Sequence, residues 1–129
     1  MTDSETTVAQ LRQIVRRFVD RRDWHQFHTP KNVAMSIGIE AAELMEHFQW
    51  LTPEQSRAVA AEPDQSAAVA DELADVLCYV LAMANELGLD LSTALHDKMA
   101  KNEQKYPVRQ YRGRFGPDDP NPASDAPGD

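Results

Sequence analysis

Glu40 and Glu43 in the stretch IEAAELMEHFQW, and Glu72 and Asp75 in DELADVLCYV, form two pairs of acids with the same three-residue spacing. On a helix this spacing puts both carboxylates of a pair on one face. At about 100° per residue, Val33, Leu44, Ile37, Phe48, Ala41, Ala34 and Met45 gather into one apolar arc, with Glu40 at its edge, roughly 20° from Val33. The same construction around Glu72 gathers Met83, Val76, Val69, Val80, Leu73, Ala84 and Leu77, with Glu72 on the edge and Asp75 one step beyond. His47 and Tyr79 fall at equivalent angles beside the acids. If the two helices pack through these arcs, four carboxylates converge at one margin of a core.

Such convergence needs a counter-charge. Two like charges about 4 Å apart repel by roughly 4 kcal/mol even at an effective dielectric near 20. Oxygen-only ligands favour a hard cation, and magnesium is held by carboxylates together with water and substrate phosphates. The chemistry on offer is metal-assisted attack by water on a phosphate chain. A single E-x-x-E pair is ordinarily solvated surface; it is the matching second pair that points to a metal. A di-iron carboxylate bundle would require Glu-x-x-His on two helices, and none of His25, His28, His47 and His96 has a glutamate three positions before it.

The elements that must position these acids are helical almost throughout. A first helix is predicted from about Ser4 to Arg22, with Val8, Leu11, Val15, Phe18 and Val19 on one face. RRDWHQFHTP breaks it, and Thr29-Pro30 is an N-cap followed by proline at the first helical position. The second helix covers Pro30 to Trp50. Thr52, Pro53 and Gln55 repeat the start signal for a short helix before Glu62-Pro63. The third runs from about Asp64 to Leu87 and stops at Gly88, a natural C-cap. The fourth begins near Asp90 to Ser92 and continues to Lys105 or Tyr106, ahead of Pro107. No segment alternates with period two. The expected fold is all-α, an antiparallel bundle of four main helices.

The 129 residues carry 13 basic and 21 acidic side chains, a net charge of −8. That balance argues against nucleic acid as a partner, because a duplex binder needs a basic footprint, and there is no polybasic segment for an anionic membrane. From Pro117 the chain reads PDDPNPASDAPGD, which holds four acids, no base and no large apolar residue. Such a composition is expected to be a disordered acidic tail, leaving a domain of residues 1–115 and a tail of 116–129. The single cysteine, Cys78, permits neither an intrachain disulfide nor a cysteine-rich zinc site. The polar start MTDSETT is unlike a signal peptide, and Asp71, Glu72 and Asp75 interrupt the longest apolar run. A cytoplasmic location is the expectation.

The acids, with 28 residues between Glu43 and Glu72, match the E-x-x-E…E-x-x-D signature of the MazG-like all-α nucleoside triphosphate pyrophosphohydrolases. RDW at 22–24, QFHTPKN at 26–32, ELMEHFQW at 43–50, DELADVLCYV at 71–80 and KMAKNEQKYP at 98–107 resemble the dCTP pyrophosphatase branch of that family. The resemblance covers roughly residues 8 to 115. It implies Mg2+-dependent hydrolysis of a (deoxy)nucleoside triphosphate, dCTP or a related pyrimidine nucleotide, to the monophosphate and pyrophosphate. Mn2+ is the natural substitute. The alternative from another class is a non-catalytic helical module that binds nucleotide or regulates.

Carried over residue by residue, the resemblance makes Glu40, Glu43, Glu72 and Asp75 the metal ligands, with Glu43 the favoured general base. Trp24, Trp50 and Tyr79 match positions that hold base or sugar, and Lys98 and Asn102 match positions on the last helix suited to phosphate contacts. One departure is Val15, which stands where that branch can carry a base-contacting histidine nine residues before the tryptophan of RDW; strict cytosine preference is in question there. A histidine at 28 is expected to order its loop, and His47 to support an acid. A four-helix layer leaves Met35, Ile39 and Trp50 off the main arc, and family members are dimers or tetramers. A homodimer or homotetramer is therefore expected.

Overall fold

The computed structural model describes residues 1–116 and 118–121 and divides into two compact units, Met1–Leu89 and the segment from Asp90 onward. The described residues are helical, without a strand.

In the first unit α1 spans Val8–Asp20, α2 Pro30–Glu46, α3 Pro53–Ala58 and α4 Pro63–Leu87, with a 3₁₀ turn at Val59–Ala61. Helix α1 starts later than Ser4 because Thr7 and Gln10 form a capping box: Gln10 N donates to Thr7 Oγ1 (3.2 Å) and Thr7 N to Gln10 Oε1 (2.7 Å). Thr29 caps α2 in front of Pro30, and Thr52 with Gln55 repeats the capping box in front of Pro53. Helix α2 ends at Glu46 rather than Trp50. Its last turn carries acids and no base, against the helix dipole, and residues 47–50 form turns closed by Phe48 N and Gln49 N onto Met45 O. Gly88, at φ 64°, ends α4 in the left-handed region that a side chain would strain.

The core lies where α2 and α1 pack on α4. Val15 and Val19 from α1, Val33 from α2, and Leu81, Ala82 and Ala84 from α4 are its buried members, joined by Val59. Leu73 and Leu77, expected in this core, are instead 56% and 45% exposed. With Ala70, Ala74, Val76 and Val80 they line an open apolar groove of about 450 Å³. Helix α4 is apolar around most of its circumference, so its residue pattern could not single out the packed face. The face that carries Glu72 faces α2.

Arg12 ties α1 to the end of α4. Its guanidinium donates to Asn85 Oδ1 (3.0 Å), Ala84 O (3.1 Å) and Leu89 O (2.7 Å), and Asn85 Nδ2 donates back to Arg12 O. These bonds place a cation at the negative end of the helix dipole, where Ala84 O also accepts from Gly88 N and Leu89 N. Arg12→Ala is expected to destabilise the protein by about 2 kcal/mol, read as a lower urea midpoint with an unchanged slope.

In the second unit α5 spans Leu91–Lys105, capped by Asp90 on Thr93 N (2.8 Å), and α6 spans Val108–Tyr111. Tyr106 and Tyr111 meet edge to face with centroids 5.2 Å apart. The expected tail lies largely outside the described residues. Its described part, 118–121, makes a turn around Asp119, whose carboxylate accepts from Phe115 N and Asn121 N. Those bonds hold the Asp119 carboxyl below its ordinary range.

Candidate active site

The packing of α2 on α4 brings Glu40 and Glu43 to Glu72. One carboxylate oxygen from each lies within 4.8 Å of the other two. Glu40 and Glu72 are half-buried in the seam, while Glu43 is exposed. Glu40 Oε2 and Glu72 Oε2 are both shielded from solvent and find no hydrogen-bond donor among the described residues. Burial pushes the Glu40 carboxyl above its ordinary value. A hydrogen bond with Glu43 and the charges of Glu43, Asp75 and Glu72 push the same way. His47 Nε2 stands 3.6 Å from Glu72 Oε1, beside the acids as its helical angle required.

Asp75 is exposed and does not join the three-oxygen group. It is close enough for its charge to act on Glu40 and on the Cys78 thiol, which burial, Asp75 and Glu40 together raise. That thiol is a protonated packing group at neutral pH, not a nucleophile. The arrangement is thus three clustered carboxylates with a fourth alongside. Two orphaned oxygens in an all-oxygen donor set fit a hard divalent cation.

Beside the acids runs a row of rings. Phe18 and Trp24 meet edge to face at 5.7 Å, Trp24 and His28 lie 6.1 Å apart, and His28 and Tyr79 lie 6.2 Å apart. Tyr79 is one turn beyond Asp75 on α4. Trp24 is 40% exposed, with the Arg22 guanidinium carbon 5.9 Å from its ring centre. Arg22 stacks over Phe18 with its guanidinium carbon 3.6 Å from the ring centre. Trp50 does not join this row; it is 86% exposed after the end of α2, with no ring contact among the described residues. Lys98 is exposed on α5, and Asn102, half-buried, approaches Met99 Sδ at 3.8 Å.

Two histidines do more than their sequence context announced. His28 is the middle ring of the row, and its Nδ1 is buried without a partner among the described residues. Its place between a tryptophan and a loop-ending Thr-Pro was the only sequence signal. His25, one residue after Trp24, pairs with Asp20 through Nε2 and with Glu86 Oε1 through Nδ1 at 2.8 Å. Glu86 is 61 residues away, so no local pattern could have found that pair.

Residues 35–114 match the model of the MazG-like family, and the chain belongs to that family. Among its relatives are the dCTP pyrophosphatase 1 proteins of Rattus norvegicus, 39% identical over 109 residues, and of Homo sapiens, 37% identical over 108 residues. Each alignment covers 84% of this chain and 64% of the relative's length. A pyrophosphatase from Archaeoglobus fulgidus, known from its crystal structure, is 42% identical with a TM-score of 0.67, covering 74% of this chain and 87% of that one.

Proposed function

We propose that the protein is a divalent-metal-dependent nucleoside triphosphate pyrophosphohydrolase that converts dCTP or a related pyrimidine nucleotide to the monophosphate and pyrophosphate. The carrying observation is the carboxylate group, in which oxygens of Glu40, Glu43 and Glu72 crowd together and two buried oxygens lack a donor among the described residues. Membership of the MazG-like family and the names of the mammalian and archaeal relatives support the substrate class.

Glu40, Glu43, Glu72 and Asp75 would hold Mg2+, with Mn2+ able to replace it. Bound there, the ion supplies charge neutralisation of phosphate oxygens and a water acidic enough to furnish hydroxide near neutral pH. Glu43 is the exposed member of the three-acid group, and it takes the proton of the attacking water. Attack at the α-phosphorus opens the α–β anhydride and expels pyrophosphate. Trp24 and Tyr79 offer rings to base and sugar, and Trp50 adds a second stacking surface. Lys98 and Asn102, four residues apart on α5, complement phosphate charge.

The four main helices act as a bundle completed by a second copy. The open groove of Leu73 and Leu77 and the exposed Met35 and Ile39 are the surfaces a homodimer or homotetramer would cover. Leu77→Glu is expected to shift the protein to monomer in light scattering, whereas an unchanged mass would place the interface elsewhere. No described helix is long and apolar enough to cross a membrane, and a cytoplasmic nucleotide-pool enzyme is consistent with that.

The direct test is product analysis with each (deoxy)nucleoside triphosphate, with Mg2+ and with chelator. The expected result is monophosphate plus pyrophosphate with metal alone, and dCTP among the best substrates. Nucleotide bound without turnover would leave a binding module.

A further inference from the structure

The loop between α1 and α2 carries both Trp24 and His28, so whatever fixes that loop sets the aromatic row. Internally it is held by short-range bonds: Trp24 N to Val19 O, Phe27 N and His28 N to Trp24 O, and His28 N to His25 O. Asp23 adopts a left-handed backbone at φ 51° to make the turn. Besides the ring contact of His28 with Tyr79, His25 ties the loop to α4 by hydrogen bonding. One ring nitrogen meets Asp20 at the end of α1, and the other meets Glu86 on α4, two turns beyond Tyr79.

A neutral imidazole has one N–H and can donate to one carboxylate only; the imidazolium has two and satisfies both. The geometry itself therefore selects the charged ring. Val15, Arg16, Val19, Ala82, Asn85 and Glu86 line the inner side of the ring, whose outer side is open to solvent, the His25 side chain being 46% exposed. The charged groups facing His25 are Asp20 and Arg16 from α1 and Glu86 from α4. The carboxylates contact the ring directly. Arg22, on the same loop, is engaged with the Phe18 and Trp24 rings.

We infer that His25 is a positioning residue for the nucleotide-binding slot: its imidazolium pins the loop bearing Trp24 and His28 between Asp20 and Glu86, and loss of that proton loosens the slot. The hydrogen bonds to Asp20 and Glu86 raise the His25 pKa above its ordinary 6.5. The latch is complete below 6.5 and is lost as pH rises through the raised value. Because it rests on the proposed nucleotide chemistry, its test has one arm that needs no nucleotide.

That arm is NMR of the full chain over pH 6 to 9, following the His25 ring and the Trp24 indole N–H together. Both are expected to titrate with one midpoint above the ordinary histidine value. The second arm is the KM for dCTP with saturating Mg2+, expected to rise about fivefold across the same range as the competent loop conformer is depopulated, with kcat measured separately to remove the pH dependence of the chemical step. His25→Arg, which keeps a permanent charge and two donors, should flatten the KM profile at its low value. His25→Gln and Glu86→Gln should sit at the high value throughout. A His25 midpoint at or below 6.5, an indole signal that ignores it, or His25→Arg and His25→Gln profiles that match the wild type would overturn the latch. Linked titration in a protein that turns over no nucleotide would uphold the latch and overturn the proposed reaction.

Discussion

Glu40→Gln is expected to lower turnover of dCTP by at least ~100-fold and, in chelator, to raise the melting temperature. The two effects have one origin. Glu40 contributes a half-buried carboxylate whose Oε2 has no donor among the described residues, next to Glu43 and Glu72. A negative charge there is costly unless a cation offsets it. Glutamine removes the charge, keeps the shape and can donate to Glu43. The metal-free protein should gain about 1 kcal/mol, while the site loses a ligand. A second signature follows from the raised Glu40 pKa. In the metal-free protein the folded state holds this proton more tightly than the unfolded chain does. This contribution to stability is therefore complete below the ordinary value of 4.5 and declines as pH rises through the raised value. Glu40→Gln should remove that slope. Thermal melts in chelator and in Mg2+ across pH 4 to 8 separate the possibilities. If Glu40→Gln keeps activity, the acids are not the metal site; if it melts lower in chelator, the repulsion argument fails.

Trp24→Ala and Trp50→Ala are expected to raise KM by comparable factors, about 10-fold each if each stacks on a base, but to differ in stability. Trp24 packs edge to face on Phe18, lies beside His28 and is more than half covered. Its removal should cost about 2–3 kcal/mol in addition to the KM effect. Trp50, at 86% exposure, has little packing to lose, and its variant should melt within ~1 °C of the parent. Steady-state kinetics and denaturant titration on the same preparations check both halves. An unchanged KM for Trp50→Ala would remove it from the substrate surface and leave Trp24 and Tyr79 as the aromatic contacts. A matching loss of stability in both variants would mean that Trp50 is covered in solution by another surface, the oligomer interface being the first candidate.

What the sequence determined by itself was local in origin. Thr29-Pro30, the Thr52–Gln55 box and Gly88 set helix ends because caps act within four residues. The three-residue spacing of Glu40/Glu43 and Glu72/Asp75 put each pair on one helix face, since helical geometry depends on nothing outside the helix. The flanking segments carried the family resemblance, and the family match bears that out. The same locality explains the small shifts: Thr7 outcompeted Ser4 as the cap of α1, and the acidic end of α2 stopped it at Glu46.

Only the tertiary structure decided which faces meet. Helix α4 is apolar on more sides than one, so its pattern was degenerate, and packing turned Glu72 toward α2 and buried Leu81, Ala82 and Ala84 in the last turns while leaving Leu73 and Leu77, earlier in the helix, open. That choice carried Glu72 into contact with Glu40 and left Asp75 outside the three-oxygen group. It also made His28 the ring between Trp24 and Tyr79, closed Arg12 onto the end of α4 and set His25 between Asp20 and Glu86. Those partners lie four to more than seventy residues apart in the chain. Charge and hydrogen-bonding capacity are written in each residue, but the pairings that satisfy them depend on how the helices dock, and docking is a property of the whole core.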